Sequence, residues 1–254
     1  RVALFQNKMT DAANYAEAVL ANSSFSLAST AMDFSKNWVA GNSSPEIIFA
    51  YVNNSRASSP LNFTLYVNDT DGSWNYAPSD WCYNSLFADD NTLSRKGDVR
   101  LKATFTSQDA NRVIKYPNGT YQLAETSDYT CTPVVISRIS EMYLIKAEAL
   151  GKTNGAAALV EYMKKRYTTA PSEAAIKALS DKEYQTLILD ERRREFYAEG
   201  MRWQDIKRTN RLELLETLDG RTYLMYYPIP QDEIDMAGTV AYPQNPGYAG
   251  YTGN

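Results

Sequence analysis

SDKEYQTLILDERRREFYAEGMRWQDIKRTNR, residues 180–211, is the stretch from which the rest of the chain can be read. Ser180 and Glu183 stand at capping-box spacing, where a hydroxyl and a carboxylate satisfy each other's free backbone donors, so a helix is predicted to begin here. Tyr184, Leu187 and Ile188 mark one face of that helix. Steps of three and four carry the same face on to Glu191, Glu195 and Ala198, so carboxylates occupy positions that the pattern assigns to the core. An unpaired buried charge costs several kcal/mol, and guanidinium groups are the natural partners. Arg192, Arg193, Arg194 and Arg202 are the nearest in sequence. The expectation is a structural network of Glu191, Arg194, Glu195 and Arg202 with Trp203 beside it. Gly200 interrupts the run, and Trp203 with Ile206 starts a second apolar stripe. A catalytic reading of Glu191 and Glu195 is disfavoured, because arginine neighbours lower a carboxyl pKa whereas a general acid needs it raised.

The chain has 254 residues, 44% apolar and 22% charged, enough to bury a sizeable core as one large domain or two small ones. Its net charge of −4 and the lack of any basic run longer than Arg192 to Arg194 argue against nucleic acid as a partner. No stretch approaches the ~20 consecutive apolar residues of a membrane span, so the chain as given is expected to be soluble. It opens at Arg1 inside a helical pattern with no leader ahead of it, which points to sequence upstream. Cys82 and Cys131 are the two cysteines and there is no histidine, so a zinc site is not expected. A disulfide between them and two free buried thiols remain open alternatives. The Asn-x-Ser/Thr sequons at Asn22, Asn42, Asn53, Asn62, Asn68 and Asn118 are read as chance in an Asn- and Ser-rich chain.

Taken in order, Arg1 to Gln6 reads as a helix end, Asn7 to Thr10 as a turn, and Asp11 to Leu20 as a helix with Ala12, Tyr15, Ala16 and Val19 inward. Residues 1–21 therefore form a helical hairpin. The layout repeats at Ile139 to Leu150, a turn at Gly151 to Asn154, and a helix from Gly155 to Tyr167. A shift of 144 residues lays Ala3, Lys8, Ala12 and Ala13 on Ala147, Lys152, Ala156 and Ala157. Small alanines at helix contacts are what tetratricopeptide-like pairs use to pack closely, although two copies this far apart make no continuous array. Residues 22–135, rich in Ser, Asn, Asp and aromatics and broken by prolines, read as a loop-rich insertion. The apolar runs Ile47 to Val52 and Phe63 to Val67 suit short strands or extended loops. Residues 136–254 are read as helical with an extended tail. The fold class is mainly α.

Catalytic motifs are missing. The lack of histidine removes the commonest base and metal ligand, and no G-x-S-x-G, phosphate loop or G-x-G-x-x-G is present, so no cofactor is expected. Carboxylate-only chemistry would have to draw on Asp69, Asp71, Asp89 or Asp90, which read as loop acids and caps. The unusual stretch is aromatic: Trp74, Tyr76, Trp81 and Tyr83 alternate with Asn75, Ser79, Asp80 and Asn84. Rings of this kind stack on sugars or peptide side chains while Asn and Asp take hydroxyls or amides. Trp74 and Tyr76 follow the turn Asp71-Gly72-Ser73 and are expected to be exposed, with Asn75 between them. Pro78-Ser79-Asp80 looks like a helix start and is expected to turn Trp81 and Tyr83 inward.

The run Glu191 to Arg208 (ERRREFYAEGMRWQDIKR) resembles the C-terminal signature of the SusD/RagB family of bacterial surface nutrient-binding lipoproteins. Tyr227-Pro-Ile-Pro-Gln-Asp-Glu-Ile234 and Gln244-Asn-Pro-Gly-Tyr248 are similar to its closing motifs. Ser44 to Phe49, Gly97 to Arg100 and Val113 to Pro117 fall where such proteins carry similar stretches. The resemblance implies a binding protein and not an enzyme. It would be held at the extracellular face of the outer membrane by a lipid anchor on a preceding N-terminal half, and would capture a glycan and pass it to a SusC-like TonB-dependent transporter. Oligopeptide capture, or a carboxylate-based glycoside hydrolase, stays open beside it. Trp74, Asn75, Tyr76, Trp81 and Tyr83 are the expected ligand contacts.

Overall fold

The computed structural model describes residues 1–39, 44–51, 78–105, 113, 115, 133–215, 218–237 and 243–249. The architecture is mainly helical with two small two-stranded sheets. It divides into two compact units, Arg1–Glu199 and Gly200–Asn254.

In the first unit, helix α1 (Val2–Phe5) turns through Asn7, whose φ of 57° is left-handed, into α2 (Met9–Leu20). The face α2 buries is Ala12, Ala13 and Ala16, whereas Tyr15 points to solvent. The inward stripe is thus rotated by one residue from the one the periodicity indicates. Alanines let α2 lie close on Ile145 and its neighbours, a separation at which a tyrosine would not fit. Helix α3 (Ala31–Ser35) starts at Thr30, whose hydroxyl accepts from the Asp33 amide. Strand β1 (Ile47–Tyr51) pairs antiparallel with β3 (Val134–Arg138), the segment Phe63 to Val67 lying outside the described residues. Strand β2 (Lys96–Asp98) pairs antiparallel with β4 (Tyr167–Thr169) and runs straight into α4 (Val99–Thr104), capped by Asp98.

Helix α5 (Ile139–Arg166) is broken at Gly151, with φ 66° and ψ 175°, where the sequence reading placed its turn. Across the break, the Tyr184 hydroxyl donates to the Ala147 carbonyl at 2.9 Å and closes the end of the first arm. Gly155 begins the second arm against that same carbonyl, and a Cβ there would run into the Ala147 backbone. Gly155→Ala is therefore expected to destabilise by about 1 to 3 kcal/mol, the overpacking cost outweighing the gain in helix propensity. Thermal melting checks this, and an unchanged or higher melting temperature would show that the two arms can part.

Helix α6 (Glu173–Ala178) leads to α7 (Asp181–Glu195), which opens with both halves of the Ser180–Glu183 capping box in place. The second unit holds α8 (Arg202–Thr209), ended by Asn210 in the left-handed region, and α9 (Gln231–Met236). Its two tail motifs are knitted together. Gln244 accepts from the Ile229 amide and donates to its carbonyl, Asn245 donates to the Tyr227 carbonyl, and the Tyr248 hydroxyl donates to the Tyr226 backbone carbonyl.

Candidate functional site

The centre of the first unit is built from charge. Glu195, fully buried, accepts at Oε1 from Arg138 (2.6 Å) and Arg166 (2.9 Å) and at Oε2 from Arg166 (2.9 Å), the Tyr162 hydroxyl (2.8 Å) and Arg100 (3.3 Å). One turn earlier, Glu191 accepts from Arg100 (2.9 Å), Arg194 (2.8 Å) and the Tyr167 hydroxyl (2.6 Å). Glu46 stands just before β1, and its two oxygens accept from the Ala28 amide, Arg166, Asn37 and Arg138. Asp98 grips the Arg100 guanidinium through both oxygens. Lys115 donates to Glu199, which also takes Arg138, and the Lys115 ammonium sits 4.1 Å from the Trp38 ring centroid.

Five carboxylates (Glu46, Asp98, Glu191, Glu195, Glu199) thus face five cations (Arg100, Lys115, Arg138, Arg166, Arg194), all of them poorly accessible. Burial by itself would raise the Glu195 carboxyl, but Arg166 and Arg138 hold it well below its ordinary 4.5. Glu191 is lowered in the same way, against its own burial, by Arg100 and Arg194. Burial presses Lys115 down to about 8 against the pull of Glu199. The two carboxylates on α7 are therefore ionised, saturated with donors and closed to solvent. That environment is unsuited to general acid catalysis.

The partners of these carboxylates correct the sequence expectation. Of the nearby arginines only Arg194 reaches Glu191, while the cations on Glu195 come from β3, α4 and α5. Arg192 lies over the Phe196 ring with its guanidinium 3.9 Å from Glu141, and Arg193 stacks on Trp81. Arg202 and Trp203 belong to the second unit, where Arg202 donates to the Leu214 carbonyl, Ile206 is buried and Trp203 keeps part of its surface exposed. Consecutive helical residues point in different directions, so a run of three arginines cannot converge on one carboxylate.

Trp74, Asn75 and Tyr76 lie outside the described residues, as do Cys131, Asp69 and Asp71. Cys82 is a free, buried thiol. The helix start at Pro78-Ser79-Asp80 is present, with the Ser79 hydroxyl accepting from the Cys82 amide. It directs Cys82 and Leu86 inward against Phe87, Phe105 and Val113, with Tyr83 half-buried on the same cluster. Trp81 departs from expectation. It is 45% exposed, and one face of its ring lies 4.5 Å from the Arg193 guanidinium. It occupies the first turn, and its side chain leaves the helix in a different direction from that of Cys82. Asp89 accepts from the Gly97 amide, and Asp90 from those of Thr92 and Leu93, so both shape their loop.

Beyond that loop a groove of about 560 Å³ runs along the outer face of α7, bordered by Asp90, Arg95, Lys182, Glu183, Asp190 and Arg194. Its size suits a small ligand. Among the described residues, no group of carboxylates or thiols is arranged to hold a metal ion, and no helix is long and apolar enough to cross a membrane.

Comparison with known proteins gives three kinds of match. A family model described as the SusD family matches residues 87–221, which contain every member of the charged network except Glu46. A curated SusD-like protein of Formosa agariphila is 30% identical over 142 residues, covering 51% of this chain and 27% of that protein. Among solved structures, a SusD superfamily protein from Bacteroides fragilis aligns over 94% of this chain and 59% of its own, with TM-score 0.63 and 22% identity. Surface glycan-binding protein A from Bacteroides thetaiotaomicron aligns over 97% of this chain and 61% of its own, with TM-score 0.61 and 22% identity. The chain thus spans about a quarter of the curated relative and about three fifths of these solved ones.

Proposed function

Because the chain belongs to the SusD family, a family of non-catalytic surface glycan-binding proteins, we propose that it forms part of a protein that captures a glycan at the cell surface and delivers it to a SusC-like TonB-dependent transporter. The match over residues 87–221 carries this reading. The state of the two α7 carboxylates favours binding over hydrolysis, since both are ionised and enclosed by donors. A lipid anchor and the surface that meets the transporter would be contributed in part by the remaining length of such proteins, as the chain covers about three fifths of its solved relatives.

The ligand contacts we propose are Trp74, Asn75 and Tyr76, with Trp81 as an exposed ring at the base of the same segment. Trp74 and Tyr76 stand two apart in sequence, so in an extended segment their rings would project to one side as a stacking platform. Calorimetry against a panel of glycans and oligopeptides tests the reading. At least one glycan should bind, and peptide binding with no glycan binding would overturn it. Trp74→Ala is expected to cost roughly 1 to 3 kcal/mol of affinity, by analogy with aromatic platforms under nucleic acid bases, and to leave the melting temperature nearly unchanged. A variant that keeps full affinity but melts much lower would show that this ring packs the fold. Pull-downs from native outer membranes that never recover a transporter would end the partnership part of the proposal.

A further inference from the structure

Arg95 lies close enough to Glu191 to act on its charge, yet it reaches that carboxylate only through the Tyr167 hydroxyl and makes no direct ion pair with it. Arg95 is only 4% exposed, yet its guanidinium donates only to neutral acceptors, the Tyr167 hydroxyl at 3.2 Å and the Ala88 carbonyl at 3.3 Å. Among the described residues its Nε has no hydrogen-bond partner and no carboxylate forms an ion pair with it. A buried guanidinium with no directly bonded oxyanion is costly, and its planar fork suits a carboxylate or sulfate. Arg95 borders the 560 Å³ groove described above, together with Arg194 and the exposed Lys182.

The carboxylates on the same groove do not supply the missing partner. Glu183 is held by Ser180 in the capping box, Asp90 accepts from two amides of its own loop, and Asp190 has an interaction of its own. The space is also larger than an inorganic anion needs, and the side chains of Leu93 and Leu187 give it apolar wall. A sugar ring places C–H groups on such a wall while a charged substituent points elsewhere.

We propose that the groove between the Asp90 to Arg95 loop and helix α7 is a subsite for an acidic saccharide, whose uronate carboxylate or sulfate ester pairs with Arg95 at the floor and is drawn in by Lys182 at the rim. This rests on the glycan-binding reading above and adds to it a charge class and a second place of contact.

The test is calorimetry of the full chain with trigalacturonate and its neutral methyl ester, and with a sulfated galactan trisaccharide and its desulfated form. The acidic member of at least one pair should bind roughly tenfold or more tightly than its neutral partner, and the advantage should shrink as salt is added. The pair that responds identifies the oxyanion. Lys182→Glu, on an exposed side chain, should weaken the acidic probe several-fold without moving the melting temperature. Arg95→Met, checked for folding by circular dichroism, should weaken it roughly thirtyfold or more. If Arg95→Met does not fold, Lys182→Glu and the paired probes decide. Equal binding of charged and neutral probes, or unaltered binding by Lys182→Glu, overturns the subsite while leaving the glycan reading intact wherever neutral glycans bind. Equal affinity for inorganic sulfate alone overturns the saccharide part, and failure to bind any glycan overturns both.

Discussion

Glu195→Ala is expected to lower folding stability by about 3 to 5 kcal/mol, which is the usual result of removing one side of a buried ion pair. The reason lies in what stays behind. Arg138, Arg166 and Arg100 converge on this one carboxylate from three elements, and Tyr162 adds its hydroxyl. Without Glu195 the remaining carboxylates, Glu46, Asp98, Glu191 and Glu199, must neutralise cations that they already share. The low-dielectric interior makes that shortfall expensive. With total stabilities of ~5 to 15 kcal/mol in ordinary domains, the loss should be plain in urea unfolding. A Glu195→Ala protein that unfolded like the parent but no longer bound glycan would mean that the residue contacts ligand, and the structural assignment would be abandoned.

Acid should expose the same network without mutation. Glu191 and Glu195 have folded-state values below the ordinary 4.5, so below that pH the unfolded chain takes up protons that the folded chain refuses. Their stabilising contribution is complete above about 4.5 and is lost as the pH falls toward the folded-state values. The limiting slope is about 1.4 kcal/mol per pH unit for each carboxyl. Melting temperature followed by circular dichroism from pH 7 to pH 3 should be flat at first and then drop steeply below pH ~4.5. A curve still level at pH 3, or one that declines from pH 6, would contradict this assignment of the two carboxylates.

The parts legible in the amino-acid order are those set by neighbours a few residues apart. The Ser180–Glu183 cap, the break at Gly151 and the inward face that carries Glu191 and Glu195 all depend on spacing within one or two turns. Partnership is different in kind. Glu195 meets Arg166 across 29 positions, Arg138 across 57 and Arg100 across 95, and helical periodicity holds no information at such separations. A usable sign did exist, since Glu46 and Arg100 fall within stretches that resemble the family's and Arg138 follows the apolar run Val134-Val135-Ile136. Reading those charges as inward would have supplied the missing partners. Tyr15 and Trp81 were misplaced for a related reason. Whether an aromatic ring is buried depends on what packs opposite, α5 for one and Arg193 for the other.

The order in which the charged residues occur along the chain constrains when the fold can close. In a chain extending only to Arg166, the four network cations Arg100, Lys115, Arg138 and Arg166 have just Glu46 and Asp98 to answer them. The remaining three acids, Glu191, Glu195 and Glu199, arrive together at the end of α7 and the turn beyond it. Until that segment is in place, burying the earlier arms would strand positive charge in the interior, so water holds them apart. Charge balance therefore ties the centre of the first unit to the segment that ends at Glu199, and a chain stopped at Arg166 is expected to stay expanded.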